Sequence, residues 1–348
     1  MVRCFLIHTV CGLSALGPGD SRVLYSRVFG PDQPEHTQNQ NQEQKQELSP
    51  EERRLLLKER VTVVARISRC SQGSEGVRFG DHRISSLLFA DDVLMASSNQ
   101  DLQCAMGRFA AECEEAGMKI SSSKSEAMVL NRKKVACPLR VGGESLPQVE
   151  EFKYLGVLFT SEGRMEREID RWIGAASAVM WSLYRTVVKR ELSRKAKLSI
   201  YRSIYVPTLT YGHELWVETE RTRSRIQAAE MSFLRRVAGR SLRDRVRSSV
   251  TREELGVEPL LLHVERSQLR WLGHLFRMPP GRLPQEVFWA CPTGRRPRGR
   301  PRTRWRDYVS RLAWERLGIP LEELEDVCVE REVWEALLRL LPPRTDLG

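Results

Sequence analysis

Residues 84–96 read ISSLLFADDVLMA, an apolar run that two adjacent carboxylates interrupt. The flanks 87–89 and 93–95 are too short for one helix and predict two buried strands joined by a turn. Asp91 and Asp92 then lie at that turn. A charge beside an apolar sheet costs several kcal/mol unless a cation compensates it, and a divalent metal is a natural compensation. Asp is also a common residue of solvated turns, so that interpretation stays open.

The string Phe89-Ala90-Asp91-Asp92 resembles the aromatic-Ala-Asp-Asp palm motif of reverse transcriptases from LINE-type (non-LTR) retrotransposons. The similarity runs from about residue 65 to about residue 341. It implies that Asp91 and Asp92 are catalytic and bind Mg²⁺ together with a third carboxylate from an earlier strand. The metal ions would hold the attacking 3′ oxygen and the departing pyrophosphate. No strand carrying that third carboxylate is recognised upstream.

Two further strings carry the resemblance. Residues 117–126 match the next palm motif of the family, which implies that Lys124 lies near the nucleotide phosphates and assists pyrophosphate departure. A solvated loop lysine is the alternative. Residues 152–159, which begin FKYLG, resemble the primer-grip strands, where a glycine lets a backbone approach closely. The candidate primer-grip residues are Tyr154, Leu155 and Gly156. We expect the hairpin to pack between a helix starting at Ser98 or Asn99 and these strands.

The composition is that of a basic globular protein. Its 348 residues include 56 Lys and Arg against 45 Asp and Glu, a formal net charge of +11 that favours polyanionic partners such as nucleic acid. The eight cysteines lack CxxC spacing, which argues against a zinc site and a disulfide framework and fits a reducing compartment, nucleus or cytoplasm. No apolar segment reaches the roughly 18 residues that span a bilayer.

Four regions are predicted in an α+β chain. Residues 1–60 form a leader unlike the family, partly disordered around the polar tract 37–47. A truncated palm with its hairpin and sheet follows at 61–160, then a mostly helical thumb-like bundle at 161–257. The last region, 258–348, is a helical and basic nucleic-acid-binding module.

The basic module has two parts. A helix over 258–277 is predicted to bury one face, with Val264 and Trp271 in it, and to present cations on the opposite face. Residues 291–306, CPTGRRPRGRPRTRWR, hold seven arginines and no acid, and part of this tract looks like an AT-hook. A nuclear-import signal or a nonspecific phosphate clamp would use the same residues. The candidate nucleic-acid-binding residues are Arg266, Arg270, Arg277, Arg295, Arg296, Arg298, Arg300, Arg302 and Arg304.

The resemblance implies RNA-directed DNA polymerisation, with RNA and DNA as partners, Mg²⁺ as cofactor and no small molecule beyond nucleotides. Without the third carboxylate, we expect a catalytically incomplete fragment. A protein that kept nucleic-acid binding but lost catalysis is one alternative, and a degenerate element with no selected function is another.

Overall fold

A computed structural model describes residues 4–9, 11–13, 76–79, 82–88, 92–115, 118–130, 135–183, 192–291 and 303–344. Strands and helices occur together, so the predicted α+β class is confirmed. The chain divides into two compact units. One comprises Met1–Gly163 with Cys291–Arg296, and the other comprises Arg164–Ala290 with Pro297–Gly348. The predicted disordered tract 37–47 lies outside the described residues.

The first unit is built on a mixed sheet of short strands. Its described elements are β1 (Cys4–Thr9), β2 (Cys11–Leu13), β3 (Val77–Phe79), β4 (His82–Ile84), β5 (Ser86–Leu88), β6 (Asp92–Ala96), α1 (Asn99–Glu115), β7 (Met118–Ile120), a 3-10 turn (Ser122–Lys124), β8 (Glu126–Leu130), β9 (Arg140–Val141), β10 (Glu144–Ser145), β11 (Gln148–Val149), β12 (Glu151–Tyr154) and β13 (Val157–Thr160). Five of them form one sheet in the order β11-β8-β1-β6-β5, in which only β11 and β8 run parallel.

Helix α1 covers this sheet as the sequence predicts. Leu94 and Ala96 of β6 are buried in one cluster with Leu102 and Phe109, which lie on the same stripe of α1. The strands expected on the other side of the hairpin are not the ones found there. Residues 152–159 form a separate two-stranded sheet, β12 with β13. The neighbours of β6 in the large sheet are β5 and β1.

Strand β1 comes from the segment that sequence analysis assigns to the leader. Phe5 pairs with Ala96 on one side and with Val129 on the other, so β1 is the central strand of the sheet. Its sequence, CFLIHT, is apolar over most of its length, which suits a strand with neighbours at both edges. Its partners lie too far along the chain for local periodicity to identify them.

The second unit is helical. Its described elements are α2 (Glu166–Ser182), α3 (Arg194–Ile200), a π-helical turn (Tyr201–Tyr205), α4 (Val206–Leu209), 3-10 turns at His213–Leu215 and Leu242–Asp244, α5 (Glu220–Ala238), α6 (Ser248–Leu255), α7 (Leu260–Phe276), α8 (Leu283–Trp289), α9 (Trp305–Leu317), α10 (Leu321–Val329) and α11 (Arg331–Leu340). None of the described helices is long and apolar enough to cross a membrane.

Two apolar clusters fill this unit. Tyr205, Trp216 and Phe233 lie in a cluster formed by α2 to α6 and the start of α7. The rest of α7 packs with α8 to α11 in a second cluster, where Leu272 and Trp334 are fully buried. Helix α7 therefore belongs to both clusters, and its remaining face carries the predicted cations.

Candidate nucleic-acid interface

The two strands of the acidic hairpin form as predicted. Leu87 pairs with Val93, and Leu88 pairs with Asp92, which is the first residue of β6. Asp92 also pairs with Thr9 of β1 on its other side. Residues 89–91, which connect the strands and include Asp91, lie outside the described residues.

The backbone brings Asp92 and Lys124 to the same end of the sheet. Thr9 of β1 pairs with Asp92, and the preceding His8 pairs with Glu126 at the start of β8. The 3-10 turn that ends at Lys124 leads into β8 and lies beside β1. The Lys124 side chain is exposed. This placement puts Lys124 and the backbone of Asp92 at one end of the sheet, and the roles that the resemblance implies for them stay predictions.

Asp91 and the Asp92 side chain, the predicted Mg²⁺ ligands, lie outside the described part of the chain. Neither Cys4–Thr9 nor Ser86–Leu88, the strands that flank Asp92, contains an acidic residue. The described part of the chain holds no cluster of three or more His, Cys, Asp or Glu side chains suited to a metal ion. Mg²⁺ binding by Asp91 and Asp92 therefore stays a prediction.

The candidate primer-grip residues lie at the tip of the β12–β13 hairpin. Tyr154 pairs with Val157, and Leu155 and Gly156 form the two-residue turn with φ of 49° and 79°. Positive φ at both positions is the pattern of a type I′ hairpin turn. The turn gives a physical reason for Gly156 other than the close backbone approach inferred from sequence. Leu155 adopts the same conformation with a bulky side chain and is exposed.

The predicted cationic face of α7 divides into two parts. Arg266 donates from Nε to the carbonyl oxygen of Leu338 (3.1 Å) and from Nη2 to that of Leu341 (3.1 Å), and it pairs with Glu258 (2.7 Å). It therefore satisfies carbonyl groups at the end of α11, where a helix lacks internal donors. Its location shows a structural role that the helical pattern does not reveal.

The remaining cations of α7 border a cleft of about 440 Å³. Arg270, His274 and Arg277 line it together with Trp271, which the sequence places on the apolar face. The Trp271 ring is half-buried and lies 5.2 Å from the His274 ring, centroid to centroid. Trp271 thus stands at the boundary of the two faces, with one side toward the core cluster and one toward the cleft.

The arginine-rich tract is described only at its margins. Arg304 is exposed and lies 3.4 Å from Asp307 at the start of α9. The next residue, Trp305, donates from Nε1 to the carbonyl oxygen of Glu214 at 2.8 Å, and Glu214 also lines the cleft. Arg295, Arg296, Arg298, Arg300 and Arg302 lie outside the described residues. The tract therefore ends next to the cleft.

Sequence analysis does not identify a buried ion network around Glu265 of α7. Arg223 contacts this carboxylate, Arg344 Nε lies 2.7 Å from Oε1, and Arg316 Nε lies 2.9 Å from Oε2. Glu265 is almost fully buried. It lies four and seven residues before Leu269 and Leu272, on the apolar side of the helix. An acid in that position is the sequence signal for a buried ion pair, because an unpaired charge there is prohibitively costly.

Glu218 is a second buried carboxylate in this region. Burial raises the pKa of Glu218 to about 7, although Arg223, whose Nε lies 3.7 Å away, favours the charged form. The rings of His213 and of His263, which lies in the first turn of α7, are stacked with centroids 5.4 Å apart. Burial also lowers the pKa of both imidazoles below the usual value. These groups support the fold around the cleft.

Comparison with known proteins relates most of the chain to mobile elements. It is 26% identical over 281 residues to a transposon-derived protein of Caenorhabditis elegans, covering 76% of this chain and 98% of that protein. A stretch of 107 residues is 31% identical to the retrovirus-related Pol polyprotein from the type-1 retrotransposable element R2 of Nasonia vitripennis. That stretch is 27% of this chain and 10% of the polyprotein, so the chain spans only a small part of that relative.

A different family matches the beginning of the chain. The family model of the AP-5 complex subunit sigma-1 matches residues 1–109, less than a third of the sequence. The match contains β1 to β6 and most of α1. Strands β8 and β11, which complete the same sheet, lie beyond it.

Proposed function

Because most of this chain is similar to transposon-derived proteins, we propose that it is a retrotransposon-derived, reverse-transcriptase-related protein that acts by binding nucleic acid. The binding surface lies within the C-terminal region 258–348 and consists of the cationic cleft of α7 and the arginine-rich tract 291–306. The proposal rests on one observation. Trp305, at the end of the arginine-rich tract, is hydrogen-bonded to the carbonyl oxygen of Glu214, which lines the cationic cleft of α7.

The charge of this surface supports the proposal. Cations that contact phosphates release condensed counterions, so a basic surface binds nucleic acid without regard to sequence. Arg270 is exposed and makes no ion pair or hydrogen bond within the described part of the chain. The tract 291–306 adds seven arginines without an acid. DNA and RNA are both partners of such a surface, in the nucleus or the cytoplasm.

We do not expect this chain alone to polymerise DNA. The resemblance assigns Asp91, Asp92 and Lys124 to nucleotidyl transfer and Tyr154, Leu155 and Gly156 to primer placement. The strands on both sides of Asp92 supply no further carboxylate. The hairpin is therefore interpreted as inherited structure, and the basic region as the part that retains an activity.

The experiment is a salt titration of duplex binding by the full chain, with a labelled DNA duplex and fluorescence anisotropy as the readout. If about five phosphates are engaged, log K against log salt should fall with a slope of about −4 to −5. The double variant Arg298→Ala with Arg300→Ala should make this slope shallower by about one to two and abolish any preference for A·T sequence.

A matched double variant, Arg221→Ala with Arg311→Ala, removes the same charge from exposed helix positions outside the tract. It should leave the slope unchanged. An unaltered slope in the tract variant, or an equal change in both variants, would contradict the proposal.

The match to the AP-5 complex subunit sigma-1 favours a second candidate function, assembly of residues 1–109 into a protein complex as that subunit does. Since β8 and β11 complete the sheet, the full chain is the proper test object. Coexpression with the other AP-5 subunits should yield a stoichiometric complex on size-exclusion chromatography. Elution of the chain alone would reject this candidate.

A further inference from the structure

We propose that the cleft beside α7 binds one nucleotide of a single-stranded nucleic acid, with its base against Trp271 and its phosphate against Arg270. This inference rests on the proposed function and adds a preference for single strands at a defined site. The arginine-rich tract alone carries no such preference, because phosphate contacts do not require an unpaired base.

The size of the cleft suits one nucleotide. A volume of about 440 Å³ lies within the range of pockets that enclose small organic ligands. Its walls come from α7, from the start of α11 and from Glu214. A duplex presents its bases stacked and paired, so it cannot insert a base into a concave site of this size without unstacking.

The charge of the cleft favours an anion. The cations at its wall are Arg270, Arg277 and Arg331, and the acids are Glu214 and Glu335. The Glu335 carboxylate is already balanced, because Arg331 Nε lies 2.9 Å from it. A second arginine, Arg339, lies 3.7 Å from the same carboxylate. The net charge of the cleft wall is therefore positive.

The two arginines of α7 are positioned differently. Arg277 is oriented by its hydrogen bond from Nη1 to the carbonyl oxygen of Cys328, at 2.6 Å. A guanidinium has five N–H donors, so this bond leaves others available to a phosphate. Arg270 lies two turns before Arg277 and is exposed, with no hydrogen bond or ion pair to the described residues. One cation is thus held in place and the other can move to meet the ligand.

Trp271 supplies the aromatic surface. Its indole is half-buried against the core cluster, lies 5.2 Å from the tilted His274 ring and lines the cleft. Bases of every kind stack on an aromatic ring, which makes the interaction tolerant of sequence. An aromatic ring and arginines that line one cleft can together bind a stacked base and its phosphate.

The position of the cleft connects it to the tract. Trp305, which opens α9, is hydrogen-bonded to the carbonyl of Glu214 in the cleft wall, and Arg304 precedes it. Nucleic acid that contacts the exposed Arg304 therefore lies close to the mouth of the cleft, where one unpaired base can enter.

The test compares binding of the full chain to a labelled single-stranded oligothymidylate and to a blunt duplex of equal length, at one salt concentration. Trp271→Leu should weaken single-strand binding by about 5- to 100-fold, the loss expected for one stacked base. Duplex affinity should change by less than about twofold, because it depends on phosphate contacts. Trp271→Phe keeps an aromatic ring and should restore most of the single-strand affinity.

Arg270→Glu provides a second variant that leaves the core untouched. It should weaken single-strand binding more than the charge-matched control Arg311→Glu, which reverses an exposed arginine on α9. An oligonucleotide that carries 5-bromodeoxyuridine should photocrosslink to the peptide that contains Trp271 and His274. Circular dichroism melting of each variant verifies that the fold is retained.

Three results would overturn the inference. Equal losses of single-strand and duplex affinity in Trp271→Leu would show that the cleft does not bind an unpaired base. Crosslinks on other peptides alone would place the base elsewhere. Competition by inorganic phosphate as effective as that by the oligonucleotide would show a simple anion site. If the unaltered chain binds neither substrate, the proposed function itself fails, which is a separate outcome.

Discussion

A Cβ added to Gly273 would clash with Nε1 of Trp334, so α7 and α11 approach each other more closely than any side chain at this position allows. The indole of Trp334 is fully buried and donates from Nε1 to the carbonyl oxygen of Leu269 at 3.1 Å. The glycine therefore exposes a helix backbone to an aromatic donor. Helix α11 also carries Arg331 and Glu335, which line the cleft, so this contact fixes one cleft wall.

Gly273→Ala should destabilise the chain by about 1–3 kcal/mol or more, because the methyl group forces Trp334 out of its buried position. Urea unfolding followed by circular dichroism measures the change. Gly174→Ala in α2 is the matched control, since nothing lies within 4 Å of its added Cβ. That change should stabilise by about 0.5–1 kcal/mol. Equal stability of the two variants would refute the close contact.

Glu265→Gln should destabilise the chain by about 3–5 kcal/mol, because three arginines lose the buried charge that they share. Arg223, Arg316 and Arg344 come from three different segments, so the loss should lower the cooperativity of unfolding as well as its midpoint. Glu335→Gln, on the exposed surface of α11, should have no measurable effect. A wild-type unfolding curve for Glu265→Gln would show that the network is not required.

Glu218 should make stability depend on pH. Burial raises the pKa of Glu218 from 4.5 to about 7, so between these values the folded chain binds a proton that the unfolded chain has released. Stability from this group is then present at low pH and is lost as pH rises toward 7. The expected loss between pH 5 and pH 7.5 is about 2 kcal/mol.

The measurement is the free energy of unfolding in urea across that pH range, for the unaltered chain and for Glu218→Gln. The variant cannot ionise, so its curve should lack the decline. A decline of the same size in both proteins would assign the pH dependence to other groups.

The purified chain should not extend a primer on an RNA template with Mg²⁺ or Mn²⁺. Two-metal transfer needs ions about 3.5–4 Å apart, held by carboxylates from neighbouring strands. The strands next to Asp92, Cys4–Thr9 and Ser86–Leu88, offer none. The double variant Asp91→Asn with Asp92→Asn, purified in the same way, measures the background activity of any contaminating polymerase. Extension by the unaltered chain that disappears in the double variant would show that another acidic residue completes the site.

Local patterns predict the elements whose burial is set by near neighbours. The two short apolar runs on either side of Asp91 and Asp92 predict the hairpin, and the spacing of Leu102, Met106 and Phe109 predicts the buried stripe of α1. The acidic position of Glu265 on an apolar stripe could also have been recognised. In each case the periodicity of one short segment contains the information.

Other features depend on partners that are distant in the sequence. The cationic spacing of α7 places Arg266 and Arg270 on one side, but only the folded chain shows that Arg266 binds carbonyls of α11. From the sequence alone, Gly273 is only a residue of low helix propensity. The folded chain shows that Trp334 packs against its backbone. A helical pattern specifies a face and not the neighbour that covers it.

The central place of β1 has a consequence for synthesis on the ribosome. Cys4–Thr9 emerges from the ribosome well before its two pairing strands, Asp92–Ala96 and Glu126–Leu130. The sheet can close only after Leu130 has left the exit tunnel, and contacts of such long sequence separation form slowly. Until then both edges of the first strand are open to other nascent chains. The growing polypeptide therefore depends on shielding of Cys4–Thr9 until both partner strands have been made.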